Sequence, residues 1–189
     1  QCPKSCQGTS QHSKPCRLAA EIIVVKRNFL ILMTADERYM KMALDEARAA
    51  MAQDEIPVGA VVVANEQVIG RGHNLTETLH DVTAHAEMQA VTAAAETLGG
   101  KYLTGCSLYV TVEPCVMCAG AIGWSQLGRL VYGASDEKRG FRRFAPEALH
   151  PKTTVVAGVL EEECRQLMKD FFVKIESIQI KDNKIIING

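Results

Sequence analysis

Two short stretches of the sequence carry residues that could do chemistry at close spacing. The stretch "HAEMQA" places His85 and Glu87 two residues apart, and "VEPCVMC" places Cys115 and Cys118 three residues apart, close to one helical turn. On a helix, positions i and i+2 point in nearly opposite directions, so His85 and Glu87 would not share a face. Taken alone, that pair predicts a half-buried histidine and a solvated glutamate. Together with the two cysteines, it suits a metal centre.

The two cysteines have the position and the chemistry of metal ligands. Pro114 favours the first residues of a helix, so Cys115 and Cys118 would fall in a first helical turn, where unpaired N–H groups and the positive end of the helix dipole favour thiolates. His85 falls at or near the start of another predicted helix, over residues 84–98, so two helix N-termini could direct three ligands to one ion. Three protein ligands leave one tetrahedral position open, which is typical of catalytic zinc and not of structural zinc.

Glu87 is the candidate general base of such a centre. Two thiolates offset the charge of Zn²⁺, so the centre should acidify a bound water less than a three-histidine site does, and a neighbouring base becomes more necessary. Because Glu87 points away from the direction of His85, its carboxylate could reach the substrate side of the ion.

The hydrophobic pattern indicates which elements position these residues. Thr34 and Glu37 form a capping box before the helical repeat of "RYMKMALDEARAAMA", and a second helix covers residues 84–98. Further helices are predicted for "CVMCAGAIGWSQ" and "LEEECRQLMKDFFVKI", and strands for "VGAVVVA", "VIGRG", "SLYVTV", "RLVYGA" and "TTVVAG". Strands and helices alternate after an opening hairpin, which predicts an α/β fold with a mixed sheet covered by helices on both faces.

Length and composition fit one globular domain, with 189 residues of which 47% are hydrophobic and 23% charged. Met33, just before the capping box, predicts the start of that domain, which would span residues 33–174. We expect residues 1–32 to be a disordered or spurious N-terminal extension, because they are rich in polar residues and proline. Residues 175–189 would form a C-terminal tail, either a hairpin or a frayed end.

Cysteine usage and charge indicate the compartment and the partners. Seven cysteines is an odd number, which favours metal ligands or free thiols in a reducing, cytoplasmic setting over disulfides. Cys2, Cys6, His12 and Cys16 allow a zinc knuckle in the extension, although their spacings fit no common knuckle. No apolar run is long enough for a membrane span, and the net charge of −1 argues against wholesale coating of nucleic acid while allowing a local basic patch.

The joint pattern "HAE" plus "PCVMC" resembles the signature of the zinc deaminases of the cytidine deaminase superfamily. Over residues 34–174 the sequence further resembles the tRNA-specific adenosine deaminases, in "DEIPVGAVVV", "GHN", "HDVTAHAEM", "LYVTVEPCVMCAGAI", "VYGASDEKRG" and "DFF". The resemblance implies a cytidine-deaminase-like, three-layer α/β/α fold with about five strands. It also implies zinc-dependent hydrolytic deamination of adenosine to inosine at the wobble position of a tRNA anticodon.

The same resemblance implies roles for the candidate site residues. His85, Cys115 and Cys118 would bind one Zn²⁺ per subunit, and Glu87 would move protons to the ring nitrogen and to the leaving ammonia. Asn74, in "GHN", would contact the base, since an amide both donates and accepts; the alternative is an asparagine that satisfies loop backbone. The remaining pocket residues implied are Val58 to Ala60, Ala86 and Pro114.

A basic loop with interleaved aromatic residues follows the fourth predicted strand. The segment "EKRGFRRF" carries four cations in six residues and suits contact with phosphates and stacking on unpaired bases. The alternative is a solvated basic loop. Its position matches the RNA-binding side of the resembled family, so tRNA is the expected partner. The candidate RNA contacts are Lys138, Arg139, Phe141, Arg142, Arg143 and Phe144.

Two other functions stay open on sequence. Trp124, six residues after Cys118, resembles a tryptophan of bacterial guanine deaminases, although a buried helix tryptophan is the simpler interpretation. A free-base deaminase acting on guanine or cytosine is therefore the first alternative. The second is a non-catalytic, RNA-binding partner subunit that uses zinc only for structure, and the presence of Glu87 counts against it. The resemblance also implies a homodimer.

Overall fold

The computed structural model describes the backbone of residues 33–187 and the side chains up to residue 177. The predicted extension over residues 1–32, with its alternative zinc knuckle, lies outside the described residues. The proposed domain boundaries therefore stay predictions.

The described chain alternates strands and helices as its hydrophobic pattern predicts. Its helices are α1 (Ala35–Ala52), α2 (Ala86–Leu98), α3 (Val116–Trp124), the short α4 (Phe141–Phe144) and α5 (Glu161–Ile187). Its strands are β1 (Gly59–Ala64), β2 (Gln67–His73), β3 (Ser107–Val112), β4 (Arg129–Ala134) and β5 (Thr154–Ala157).

The strands form one five-stranded mixed sheet in the order β2-β1-β3-β4-β5. β1 pairs antiparallel with β2 and with β3, whereas β3, β4 and β5 run parallel. The β1–β2 hairpin turns at Asn65 and Glu66, whose positive φ values of 48° and 62° suit the turn types that join twisted strands. The predicted mixed sheet is confirmed.

Side chains that alternate along the strands form two cores, one on each face of the sheet. On one face, Val62 and Leu130 pack with the alanines of α2 and with Ile122 of α3. On the other face, Val61 and Val131 pack with residues of α1 and α5. The three-layer α/β/α architecture expected from the sequence is therefore confirmed.

Gly72 lets α2 approach β2 closely. A Cβ atom at this position would lie 2.4 Å from the carbonyl oxygen of Ala86 and 2.6 Å from the amide nitrogen of Ala90, distances that real side chains do not tolerate. The first turn of α2 is thereby held against the sheet. Gly72 thus serves to position the helix that follows His85.

The last helix continues through the segment that the sequence predicts as a tail. α5 runs to Ile187, so neither a hairpin nor an end near residue 174 is found. Neither glycine nor proline occurs between Gly158 and Gly189, so nothing in the sequence breaks the helix. Within the described part of the chain, no helix is long and apolar enough to cross a membrane.

Trp124 ends α3 and is 86% exposed, so the prediction of a buried tryptophan is wrong. The inner face of α3 is formed by Cys118, Ala119 and Ile122. Trp124 lies two positions beyond Ile122, which turns its side chain away from the core.

Candidate active site

Two helix N-termini present the candidate metal ligands. His85 is the N-cap of α2 and Cys115 the N-cap of α3; both have extended backbone, and neither side chain makes a capping hydrogen bond. Their side chains are therefore available for another partner. Cys118 lies in the first turn of α3 and is fully buried. The predicted placement of these residues at the starts of two helices is confirmed.

The three ligand atoms converge with the geometry of a zinc site. His85 Nδ1 lies 3.7 Å from Cys115 Sγ and 3.5 Å from Cys118 Sγ, and the three candidate atoms lie within 4.8 Å of one another. Tetrahedral zinc with bonds of about 2.1 Å to nitrogen and about 2.3 Å to sulfur would separate these atoms by about 3.6 Å. One imidazole and two thiols at this spacing fit a zinc ion.

Hydrogen bonds among His85, Cys115 and Cys118 favour a thiolate at this site, which suits the binding of a cation. The hydrogen bond from Cys118 lowers the pKa of Cys115 to about 4, and His85 acts in the same direction against the opposing effect of burial. The same hydrogen bond, followed by burial, raises the pKa of Cys118. Cys115 is thus the thiolate of the pair, and Cys118 carries the proton that a bound metal would displace.

Glu87 is the buried carboxyl group of the site, with 4% of its surface exposed. Burial raises the pKa of Glu87 to about 7, and the charge of Cys115 adds to this rise. A carboxyl group with that pKa exchanges its proton readily near neutral pH, which is the property that a general acid and base needs.

A cleft of about 530 Å³ opens onto this cluster. Six residues that the sequence predicts line it: Val58, Asn74, His85, Glu87, Cys115 and, from the basic loop, Arg139. The cleft therefore gathers the predicted base, two of the predicted ligands and the predicted base-contacting amide at one place.

The other predicted pocket residues do not line the cleft. Ala86 and Pro114 are buried and do not line it, and Cys118 lies beneath it in α3. The Pro114 carbonyl accepts a hydrogen bond of 2.9 Å from the Phe141 amide, which joins the start of α3 to the basic loop.

The buried carboxylate of Glu113 organises the basic loop. It accepts hydrogen bonds from the backbone N–H groups of Asp136 at 3.2 Å and of Arg142 at 3.1 Å. Gly140 lies against it, since a Cβ atom there would come within 2.5 Å of the Glu113 carboxylate. Gly140 also forms an antiparallel backbone bridge with Cys115. The loop is thus fixed directly to a candidate metal ligand.

The five predicted RNA contacts of this loop whose side chains are exposed fall into three groups. Lys138, Arg139 and the half-exposed Phe144 line a hollow beside Cys115, and Arg139 also reaches the cleft. Arg142 lies over the ring of Tyr132 and 3.7 Å from Glu113. The third group is Arg143, which donates to the Glu137 carbonyl.

Phe141 is 3% exposed and belongs to the core, so its predicted stacking on an RNA base is wrong. It is the first residue of α4, and the bond of its amide to Pro114 turns its side chain inward. Aromatic residues interleaved with cations do not by themselves reveal which ones face solvent.

Several residues of the cleft are not predicted from sequence. Met168 and Phe172 are one turn apart on α5 and close one side, a pairing that helical spacing could have suggested once α5 was known to pack there. Glu113 stands next to Pro114 in "VEPC", but its role depends on a loop 23 residues away. The complete unpredicted set is Ile56, Thr76, Val112, Glu113, Asp136, Met168 and Phe172.

Comparison with known proteins places the chain among deaminases. Residues 34–186 match the family of MafB19-like deaminases. The chain is similar to the tRNA-specific adenosine deaminase of Bacillus subtilis (strain 168), with 46% identity over 145 residues that cover 74% of this chain and 90% of the relative.

Two solved structures resemble the fold. One, from studies of A-to-I editing by tRNA:A34 deaminases at the wobble position of transfer RNA, shares 44% identity, covers 69% of this chain and 98% of its own, and has a TM-score of 0.65. A guanine deaminase from Nitrosomonas europaea shares 27% identity, covers 71% of this chain and 83% of its own, and has a TM-score of 0.61. The chain belongs to the MafB19-like deaminases and to the family of tRNA-specific adenosine deaminases.

Proposed function

We propose that the protein hydrolytically deaminates adenosine to inosine at the wobble position of a tRNA anticodon. The observation that carries this proposal is the placement of the buried Glu87 beside three converging ligand atoms, in a cleft that an arginine of the basic loop borders. The activity named for the Bacillus subtilis relative, at 46% identity, supports the choice of adenosine in tRNA over a free base.

We propose that His85, Cys115 and Cys118 hold one Zn²⁺ ion per subunit. Their donor set and spacing fit that ion, and three protein ligands leave a position open toward the cleft. Bound there, zinc would supply Lewis-acid activation of water.

The roles of the other residues follow from their positions. Glu87 accepts a proton from the attacking water and delivers it to the ring nitrogen next to C6. It then takes the remaining proton from the hydroxyl group newly bonded to C6 and passes it to the amino group, which leaves as ammonia while the C6 carbonyl forms. Asn74 and Val58 contact the base, whereas Ala86 and Pro114 shape the site through the backbone that holds the ligands.

Lys138 and Arg139 are the proposed phosphate contacts, and Phe144 the proposed stacking residue. All three line the hollow beside Cys115, and 58% of Phe144 is exposed. Basic groups next to an exposed aromatic ring suit an unpaired anticodon nucleotide. Arg142 lies near Glu113 and Arg143 donates to the Glu137 carbonyl, so both contribute less to RNA binding.

We also propose a homodimer. α3 exposes an apolar face made of Val116 at 43%, Met117 at 37% and Trp124 at 86%. Such a face next to the active site is costly to leave in water, and a second copy could cover it. Sedimentation velocity checks this: the wild type should sediment as a dimer and Trp124→Ser mainly as a monomer. The free thiols of Cys106 and Cys164 suit a cytoplasmic location, which we also propose.

The test of the function uses three substrates in parallel. The purified protein is incubated with an anticodon stem-loop that carries adenosine at the wobble position, with guanine, and with cytosine. We expect inosine in the stem-loop and no turnover of the free bases. Xanthine from guanine would favour the activity of the Nitrosomonas europaea enzyme, to which the fold is similar, and no product from any substrate would favour a non-catalytic subunit.

A further inference from the structure

Glu55 is a fully buried carboxylate that has no part in the proton transfers above. It is 0% exposed and lies in the connection between α1 and β1. Its Oε1 accepts a 2.7 Å hydrogen bond from the Thr78 amide, and its Oε2 accepts bonds from Asn74 Nδ2 at 3.0 Å and from the Thr76 hydroxyl at 3.3 Å. Burial raises the pKa of Glu55, but hydrogen bonds from Thr78, from the backbone of Glu77 and from the side chain of Thr76 outweigh it, so its pKa is lowered and the group is ionised.

The ionised Glu55 determines which way the Asn74 amide faces. A carboxylate can only accept hydrogen bonds, so Asn74 must turn its nitrogen and not its oxygen toward Glu55. The second N–H of Asn74 donates to Thr76 Oγ1 at 3.0 Å, and Thr76 donates onward to Glu55, which closes a triangle of three side chains. Both N–H groups of Asn74 are therefore engaged.

The oxygen of Asn74 is what remains for the substrate. Asn74 lines the cleft with Glu87 and His85, and within the described residues no donor reaches its Oδ1. A side chain that in principle both donates and accepts is thus reduced to an acceptor at the place where the base should bind.

Building on the proposed function, we propose that Glu55 is a positioning residue: it holds Asn74 so that the bound nucleoside meets an acceptor and not a donor. The substrate must then present an N–H or an O–H group to Asn74. In adenosine the ring nitrogens that lack hydrogen are acceptors, so the partner is the amino group or a sugar hydroxyl. The sequence-based interpretation, in which Asn74 both donates and accepts, is revised accordingly.

The test exchanges the amide and the carboxylate. In Glu55→Gln, the NH₂ group of the new side chain must point at another donor, either the Thr78 N–H or the NH₂ group of Asn74. The clash with Asn74 is relieved when the Asn74 amide flips, which turns its oxygen toward Gln and its nitrogen toward the cleft. Adding Asn74→Asp restores the pattern, because Gln at position 55 accepts from Thr78 and donates to Asp at position 74, which again shows an oxygen to the cleft. The net charge of the pair is that of the wild type.

The measurements are kcat/KM for inosine formation in the anticodon stem-loop and the midpoint of thermal unfolding. We expect Glu55→Gln to lower kcat/KM roughly tenfold or more, on the order of one lost substrate hydrogen bond, and the exchanged variant to recover most of this loss. Glu77→Gln, an exposed carboxylate in the same loop, should match the wild type.

Each outcome decides the matter. An exchanged variant that regains the thermal midpoint of the wild type but stays as inactive as Glu55→Gln would show that the Asn74 nitrogen is needed, and the inference would be wrong. Should Glu55→Gln not fold, the exchanged variant is compared with the wild type directly, and a loss beyond roughly 100-fold at equal stability overturns the inference. A wild type that forms no inosine refutes the proposed function itself, and this inference with it.

Discussion

Arg129, at the start of β4, donates two hydrogen bonds to Asp36 in the first turn of α1: Nη1 to Oδ1 at 2.8 Å and Nη2 to Oδ2 at 2.7 Å. Tyr109 adds a third bond to the same carboxylate at 2.9 Å. About a quarter to a third of each charged side chain is exposed, at 27% for Asp36 and 31% for Arg129. The pair fastens α1 to β4.

Asp36→Asn should destabilise the fold by about 1 to 2 kcal/mol, because it leaves Arg129 with a neutral partner and one fewer acceptor. Arg129 lowers the pKa of Asp36, so the unfolded state binds the proton more tightly. The stabilisation is therefore fully present above the unfolded pKa of about 3.9 and is lost as the pH falls through the lower folded value. Urea unfolding of the wild type and of Asp36→Asn at pH 7 and pH 3 measures this contribution to the free energy of unfolding. Asp45→Asn, which removes an exposed pair with Arg48, is the control and should change stability little.

Glu87→Gln should lower inosine formation by about 100- to 10,000-fold, because the amide can no longer carry the proton. The zinc content of the purified variant should equal that of the wild type, since Glu87 is not among the ligands. Single-turnover rates and metal analysis check the two expectations. Glu96→Gln, on the exposed end of α2, is the matched control. Substantial activity in Glu87→Gln would contradict the assigned role.

Cys118→Ser should lose bound zinc and unfold at a lower temperature, because metal bound only to the folded state stabilises that state. The hard hydroxyl oxygen is a poor substitute for a thiolate. Metal analysis and thermal unfolding with and without a chelator measure both effects. Cys106→Ala changes a buried thiol that does not belong to the cluster, and this variant should keep its metal. Full zinc occupancy in Cys118→Ser would rule out the ligand set.

Lys138→Ala/Arg139→Ala should raise KM for the stem-loop with a smaller effect on kcat. The slope of log affinity against log salt should fall by about 0.7 for each phosphate that the protein no longer neutralises. Binding titrations at several salt concentrations measure this slope. Arg48→Ala/Lys101→Ala removes the same charge from positions that do not line the cleft. An unchanged slope in the loop variant would leave the basic loop without a role in RNA binding.

The sequence predicts best those site residues whose positions depend on short segments of the chain. His85, Cys115 and Cys118 each lie in the first residues of a helix, and short spacing plus helix-start signals predict such positions well. The cluster of candidate metal ligands and the carboxylate next to it follow from these signals. The alternation of strands and helices likewise predicts the three layers.

Sequence fails where a side chain depends on distant partners. Glu55 and Asn74 are 19 residues apart and meet only because β1 and β2 pair. Sequence reasoning places Phe141 and Trp124 in the wrong environments, since an aromatic residue suits both the core and an exposed face, and only the packing of its element decides between them.

The backbone bridge between Cys115 and Gly140 limits how the specificity of this protein can change. At the bridge, Gly140 leaves no room for a side chain beside Glu113, and the Arg142 amide donates to the same carboxylate. A larger residue at position 140 would therefore disturb a candidate metal ligand as well as the basic loop. The side chains of Lys138 and Arg139 are exposed, and their amides donate to Asp136 and not to Glu113. Evolution or redesign can therefore alter RNA preference through substitutions at Lys138 and Arg139, whereas a substitution at Gly140 would disturb the site itself.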